Sequence, residues 1–140
     1  MGLPLPVGLA LVACEGFDRS PNGNLNLKGI LNRIESDTFP LLLPQLCVYA
    51  ALTDIRPRCQ CKLDIIDGAT DEPILSGLEF EAPQVQQAMG TGVCEIAIDF
   101  TPFPISRSGV VLVRLFANDQ LLLQRSLIVE QSGPTKESDI

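Results

Sequence analysis

Between Cys59 and Ile65 the chain alternates with a strict period of two. Cys59, Cys61, Leu63 and Ile65 fall on one parity, and Gln60, Lys62 and Asp64 on the other. A helix repeats its face every 3.6 residues, so this run would scatter apolar groups around a helix, whereas a strand gathers them on one side. The same alternation recurs over Gly92 to Phe100, where Cys94, Ile96, Ile98 and Phe100 oppose Glu95 and Asp99. Leu46 to Leu52 is apolar on both parities, as a central strand would be.

Proline and glycine set the segment lengths. Eleven of each in 140 residues require frequent chain reversal, because Pro is poorly tolerated inside helices and central strands. Strands are expected over Leu9 to Gly16, buried on both faces, and over Asn24 to Ile34. The latter breaks parity at Gly29, which suggests a bulge or bend, with a short helix over Lys28 to Ile34 as the alternative. Further strands are expected at Leu46 to Leu52, Cys59 to Ile65, Ile74 to Phe80 and Gly92 to Phe100. A closing hairpin runs from Gly109 to Val129 and turns at Asn118-Asp119, a pair suited to a type I′ turn. Phe39-Pro40 and Pro44 hold the connection from Glu35 to Gln45 extended. The fold expected is all-β: a two-sheet antiparallel β-sandwich of about eight strands ending in a β-hairpin, with a closed barrel as the alternative.

One domain is expected over residues 1–131, with a polar tail over 132–140. A chain of this length buries roughly 68% of its unfolded surface, enough for one core without covalent staples. Trp is absent and aromatics are few, so Leu, Val, Ile and Ala must fill that core. The five cysteines are odd in number and four of them sit in apolar strand-like runs, as small hydrophobes do. That usage points to a reducing compartment, the cytoplasm.

Charge and residue type exclude several functions. A net charge of −7 with scattered basic residues disfavours nucleic acid and anionic membrane as partners. The absence of His removes Ser-His-Asp and Cys-His catalysis and imidazole metal ligation. No nucleophile elbow or phosphate loop occurs, so the protein is not expected to be an enzyme. Leu11-Val12-Ala13-Cys14 has the form of a lipoprotein cleavage site. It lacks the basic segment and unbroken apolar core of a secretion signal, and an ordinary first strand is the preferred reading.

Four groups of residues could carry chemistry. Cys59 and Cys61, with Cys47 or Cys94, could ligate zinc, but their phase with Leu63 and Ile65 favours core packing. Asp64, Asp67, Asp71 and Glu72 surround one turn and could bind calcium or act as an acid–base pair; a solvated turn is the plainer reading. Glu15, Asp18, Arg19 and Arg33 flank the first loop, as surface ion pairs or a ligand site. Leu41 to Leu43 and Leu121 to Leu123 are apolar on both parities, so loops or a second chain must cover one side. No catalytic, cofactor-binding or metal-ligating residue is assigned, and no cofactor. The function expected is a non-catalytic interaction module acting through a protein partner or self-association. The alternative is a small-ligand or calcium-binding module using loop carboxylates.

Several stretches line up in order with a known family: Ala13-Cys14-Glu15, Gly23-Asn24-Leu25-Asn26-Leu27-Lys28-Gly29-Ile30, Ile34, Phe39-Pro40, Pro44-Gln45-Leu46-Cys47-Val48, Asp67-Gly68 and Leu127-Ile128-Val129. Over most of residues 7–130 the chain resembles a bacterial family of small single-domain β-sandwich proteins of unknown function. It departs from that family at Ser106 to Val111, where an aromatic more often follows a Gly. The resemblance implies the fold and brings no catalytic residues.

Overall fold

A computed structural model describes residues 5–54, 59–81, 93–100 and 102–132. Every regular element among them is a strand: β1 Val7–Arg19, β2 Leu25–Ile30, β3 Arg33–Ser36, β4 Leu41–Leu43, β5 Cys47–Thr53, β6 Gln60–Asp67, β7 Pro73–Glu81, β8 Val93–Asp99, β9 Phe103–Ile105, β10 Gly109–Ala117 and β11 Gln120–Gln131. They form a four-stranded sheet in the order β2-β1-β5-β8 and a five-stranded sheet in the order β3-β11-β10-β6-β7. A two-stranded sheet, β4-β9, stands apart.

The two large sheets share one core. Leu11, Ala13, Val48, Ala50 and Leu52 come from the four-stranded sheet; Leu63, Ile65, Val113, Leu115, Leu127 and Val129 come from the five-stranded sheet. Each fully buried Leu, Ile or Val contributes about 2 kcal/mol. The alternation of β6 therefore does what its sequence implies: Cys59, Cys61, Leu63 and Ile65 point inward together. At Gly8 the sheets approach so closely that a methyl group there would lie 2.8 Å from Leu123 Cδ1.

The chain is more divided than its sequence suggests, with eleven described strands rather than about eight. The three unforeseen elements, β3, β4 and β9, are three or four residues long, too short for a period to register. β4 and β9 lay Phe103 and Ile105 into the core and leave Leu42 exposed. The parity break at Gly29 is not a bulge within one strand. The chain leaves the four-stranded sheet after Ile30 and enters the five-stranded sheet at Arg33. Gly29 has φ 64°, a left-handed conformation that glycine adopts without strain. β3 then runs parallel to β11, with Arg33 opposite Ile128 and Ser36 opposite Gln131, so the sheet is not wholly antiparallel. β1 is also longer than expected, and Val7 and Leu9 are exposed rather than buried on both faces.

The closing hairpin turns at Asn118 (φ 50°) and Asp119 (φ 68°), as a type I′ turn requires. A register shift opposite Leu115 and Phe116 inserts one extra residue in β11. That insertion lets Leu122 and Leu123 both pack on the core while Leu121 stays exposed. Val111 is buried where the sequence departs from the resembled family. The Phe39–Pro40 peptide bond is cis. The proposed polar tail lies outside the described residues, apart from Ser132.

Candidate functional site

Two of the four carboxylates around the β6–β7 turn, Asp64 and Asp67, are already engaged. Asp67 Oδ1 accepts the Ala69 amide at 2.8 Å, and Oδ2 accepts Arg107 Nε and Nη2, each at 3.1 Å. The Ala69 amide first, then Arg107, hold the Asp67 carboxyl below its ordinary range. Asp64 forms a two-pronged pair with Arg114 directly across the strand, at 2.9 and 3.0 Å, and is only 8% exposed. That pairing raises the Arg114 pKa further. A calcium ion would have to displace Arg107 from Asp67. Asp71 and Glu72 are exposed beside it. Among the described residues, no group of three or more Cys, Asp or Glu is placed to hold a metal ion.

The cysteines separate into two sets. Cys59 and Cys61 sit 3.9 Å apart, sulfur to sulfur, inside the core, and Cys94 faces them from β8. Burial is the main cause that pushes Cys61 up to about 12, and it raises Cys94 as well. Cys14 and Cys47 are a cross-strand pair on the opposite, outward side of the four-stranded sheet, yet they are 0% and 1% exposed. Burial, and then the neighbouring Cys14, push Cys47 up to about 12. Thiols in this state are poor nucleophiles and poor ligands. All five cysteines are free. Cys14 lies mid-strand and buried, as the strand reading of residues 9–16 expects.

The outward face of the four-stranded sheet carries few charges. Its rows, read across β1, β5 and β8, are Val7–Thr53–Val93, Ala10–Ala51–Glu95, Val12–Tyr49–Ala97 and Cys14–Cys47–Asp99. Ile30 extends the last row onto β2. Ala51, Cys14 and Cys47 are buried without belonging to the core, while Val7, Leu9, Ile30 and Val93 are each about half exposed. Tyr49 donates its hydroxyl to Glu95 Oε2 at 2.6 Å; burial and that carboxylate push the phenol up to about 12.

The outward face of the five-stranded sheet is finished differently. Arg114 and Asp64 pair at its centre, and Lys62 Nζ lies 4.7 Å and Arg114 Cζ 5.2 Å from the centre of the Phe116 ring. The stem of Lys62 runs over Gly77, where a methyl group would lie 2.8 Å from its Cδ. Between the two sheets Arg125 donates to the Leu11 carbonyl at 3.2 Å and to Asn32 Oδ1. Its Nε is buried without a partner.

The flank of the first loop divides into two parts. Asp18 pairs with Lys28 at 2.8 Å and accepts from Asn26, contacts that lower its pKa; Arg19 Nη1 donates to the Gly23 carbonyl at 3.1 Å. Glu15 and Arg33 instead line a cleft of about 380 Å³ with Leu31, Ile34, Leu43, Pro44 and Gln45. Glu15 lies opposite Gly29, and a methyl group on that glycine would sit 2.5 Å from Glu15 Oε1. Residues from three distant stretches meet here because β2 and β3 belong to different sheets. Sequence reasoning singled out Glu15 and Arg33, and separately Leu43 within an apolar run, but had no signal that joined them or that pointed to Gln45 or Leu31. It also had none for the Arg107, Arg114 and Arg125 contacts, which span 40 residues or more.

No helix among the described residues is long and apolar enough to cross a membrane. No curated protein matches the chain. The model of a family of unknown function, DUF6941, matches residues 9–130, and the chain belongs to that family.

Proposed function

We propose that the protein is a non-catalytic interaction module of the bacterial cytoplasm that works by self-association through the outward face of its four-stranded sheet. The observation behind this reading is the row pattern of that face. Small uncharged residues lie at its centre, with half-exposed Val7, Leu9, Ile30 and Val93 around them. Exposed apolar surface on a sheet favours a covering partner. A second copy fits, because two sheets of like twist stack in near alignment about 10 Å apart. Four strands about 4.8 Å apart, with β5 seven residues long, give a footprint of roughly 450 Å². That is about half of what each partner buries in a standard interface, so the association is weak and concentration-dependent. A net charge of −7 on each copy opposes it, and salt relieves that repulsion. Five free, buried thiols favour a reducing cytoplasm, and the sequence resemblance favours a bacterial source.

Sedimentation velocity over a hundredfold concentration range tests the proposal. The native chain should shift reversibly from monomer to dimer, more readily at higher salt. Val12→Lys combined with Ala97→Lys should hold it monomeric with an unchanged circular dichroism spectrum. A native chain that stays monomeric throughout, or a double variant that dimerises equally well, overturns the reading.

A further inference from the structure

We propose that the cleft between β1, β3 and the link from β4 to β5 binds a small zwitterion with an apolar side chain, of the class of the free apolar α-amino acids. The inference is independent of self-association, because Glu15 lies on the inward parity of β1, away from the proposed dimer face.

Two opposite charges line this cleft without neutralising each other. Glu15 makes no hydrogen bond or ion pair among the described residues, and its carboxylate is seated against the backbone of Gly29. Arg33 has one nitrogen, Nη1, near Glu130 Oε1, at 3.4 Å. The rest of its guanidinium fork is open, and a guanidinium fork matches a carboxylate in two-point geometry. No ion pair joins Glu15 to Arg33, although both side chains border the same space. Gln45 adds an amide that can donate and accept. The remaining wall is apolar: Leu31, Ile34, Leu43 and Pro44.

This combination selects a ligand by charge pattern. An ammonium group belongs against Glu15, a carboxylate against Arg33, and a branched or unbranched apolar side chain against Leu31, Ile34 and Leu43. The volume, about 380 Å³, lies at the low end of small-molecule sites, which suits a single amino acid better than a peptide. The carboxylate is also held ready. Because Gly29 has no side chain and adopts φ 64°, Glu15 can fold over β2 instead of extending into water. Less ordering is then left to be done on binding.

Calorimetric titration of the full chain tests the assignment, with L-leucine, L-isoleucine, L-methionine and L-phenylalanine as probes. At least one should bind saturably. Two analogues of the best probe separate the charges: the amide, which lacks the carboxylate, and the deaminated acid, which lacks the ammonium. Each should bind at least tenfold more weakly. Glu15→Gln should weaken the amino acid at least tenfold and leave the deaminated acid unchanged; Arg33→Gln should do the reverse with the amide. Both substitutions are at the surface, and unchanged thermal melting of the unliganded variants confirms that they fold. Absence of binding by all four probes overturns the proposal. So does equal binding of the zwitterion and both analogues, which would mean apolar contact alone, and so does full affinity in Glu15→Gln.

Discussion

The outward faces of the two large sheets solve the same problem in opposite ways. On the five-stranded sheet, Arg114 and Asp64 pair across neighbouring strands, and Lys62 and Arg114 cover the Phe116 ring. The exposed apolar residues of that face stand at its two ends, Val110 and Ile128 at one and Leu121 opposite Phe116 at the other. On the four-stranded sheet, Ala10, Ala51, Ala97, Cys14 and Cys47 carry no charge, and Tyr49 pairs with Glu95 across the rows. The first face meets water with long amphipathic side chains laid over it. The second leaves Val7, Leu9, Ile30 and Val93 half exposed around small buried residues, which teaches that solvent is not the partner for which its composition is suited.

The largest effect that would test this contrast is at Asp64. Asp64→Ala leaves the half-buried Arg114 guanidinium without its counter-ion and should cost about 3 kcal/mol in urea unfolding. A cost no greater than that of Ala97→Lys on the other face, expected within about 0.5 kcal/mol, would erase the distinction. Next comes Arg125, which ties β11 to β1 through the Leu11 carbonyl. Arg125→Ala should cost about 2 kcal/mol, seen as a lower urea midpoint with unchanged slope.

The thiols sharpen the comparison at alkaline pH. Cys47 on the outward face and Cys61 in the core are both pushed up to about 12 in the fold, whereas an unfolded thiol ionises near 8.5. The unfolded chain therefore releases protons first, and stability falls as pH rises from about 9 toward 12. Cys47→Ala should flatten that decline about as much as Cys61→Ala, measured by urea melts across the pH range. A much smaller effect at Cys47 would mean that the outward face is wetter than its burial implies.

At acid pH the expected effect is smaller. Asp67 titrates below its ordinary value, so its contribution is full above about pH 4 and fades as pH falls through the folded value. Asp67→Asn should flatten the acid limb of the stability curve. The smallest change is Tyr49→Phe, which removes one exposed hydrogen bond and should cost less than about 1 kcal/mol.

Strand identity was legible where alternation ran for six residues or more, as in β6 and β8, and where the Asn118-Asp119 turn marked the two strands of the hairpin. It was not legible in Leu41–Leu43, which has no polar partner to mark a period, or in Phe103–Ile105, where Pro104 sits mid-strand. Alternation also leaves unsaid which side is inward. Cys47 and Val48 are both buried, but only Val48 belongs to the shared core. At Gly29 the sequence marks that the chain changes direction without telling a bend from a change of sheet. The cleft follows from that change of sheet, so its membership could not be read from spacing. The carboxylates of the β6–β7 turn were visible as a cluster; the arginines that engage them lie 40 and 50 residues away.

The parallel seat of β3 beside β11 fixes an order of events in the living cell. A ribosome releases residues 33–36 long before residues 128–131, yet each is the other's neighbour in the finished sheet. While the intervening residues are being made that early strand has no mate, and its edge stays open to whatever else is at hand. Final closure of this sheet therefore waits until residues 128–131 have emerged.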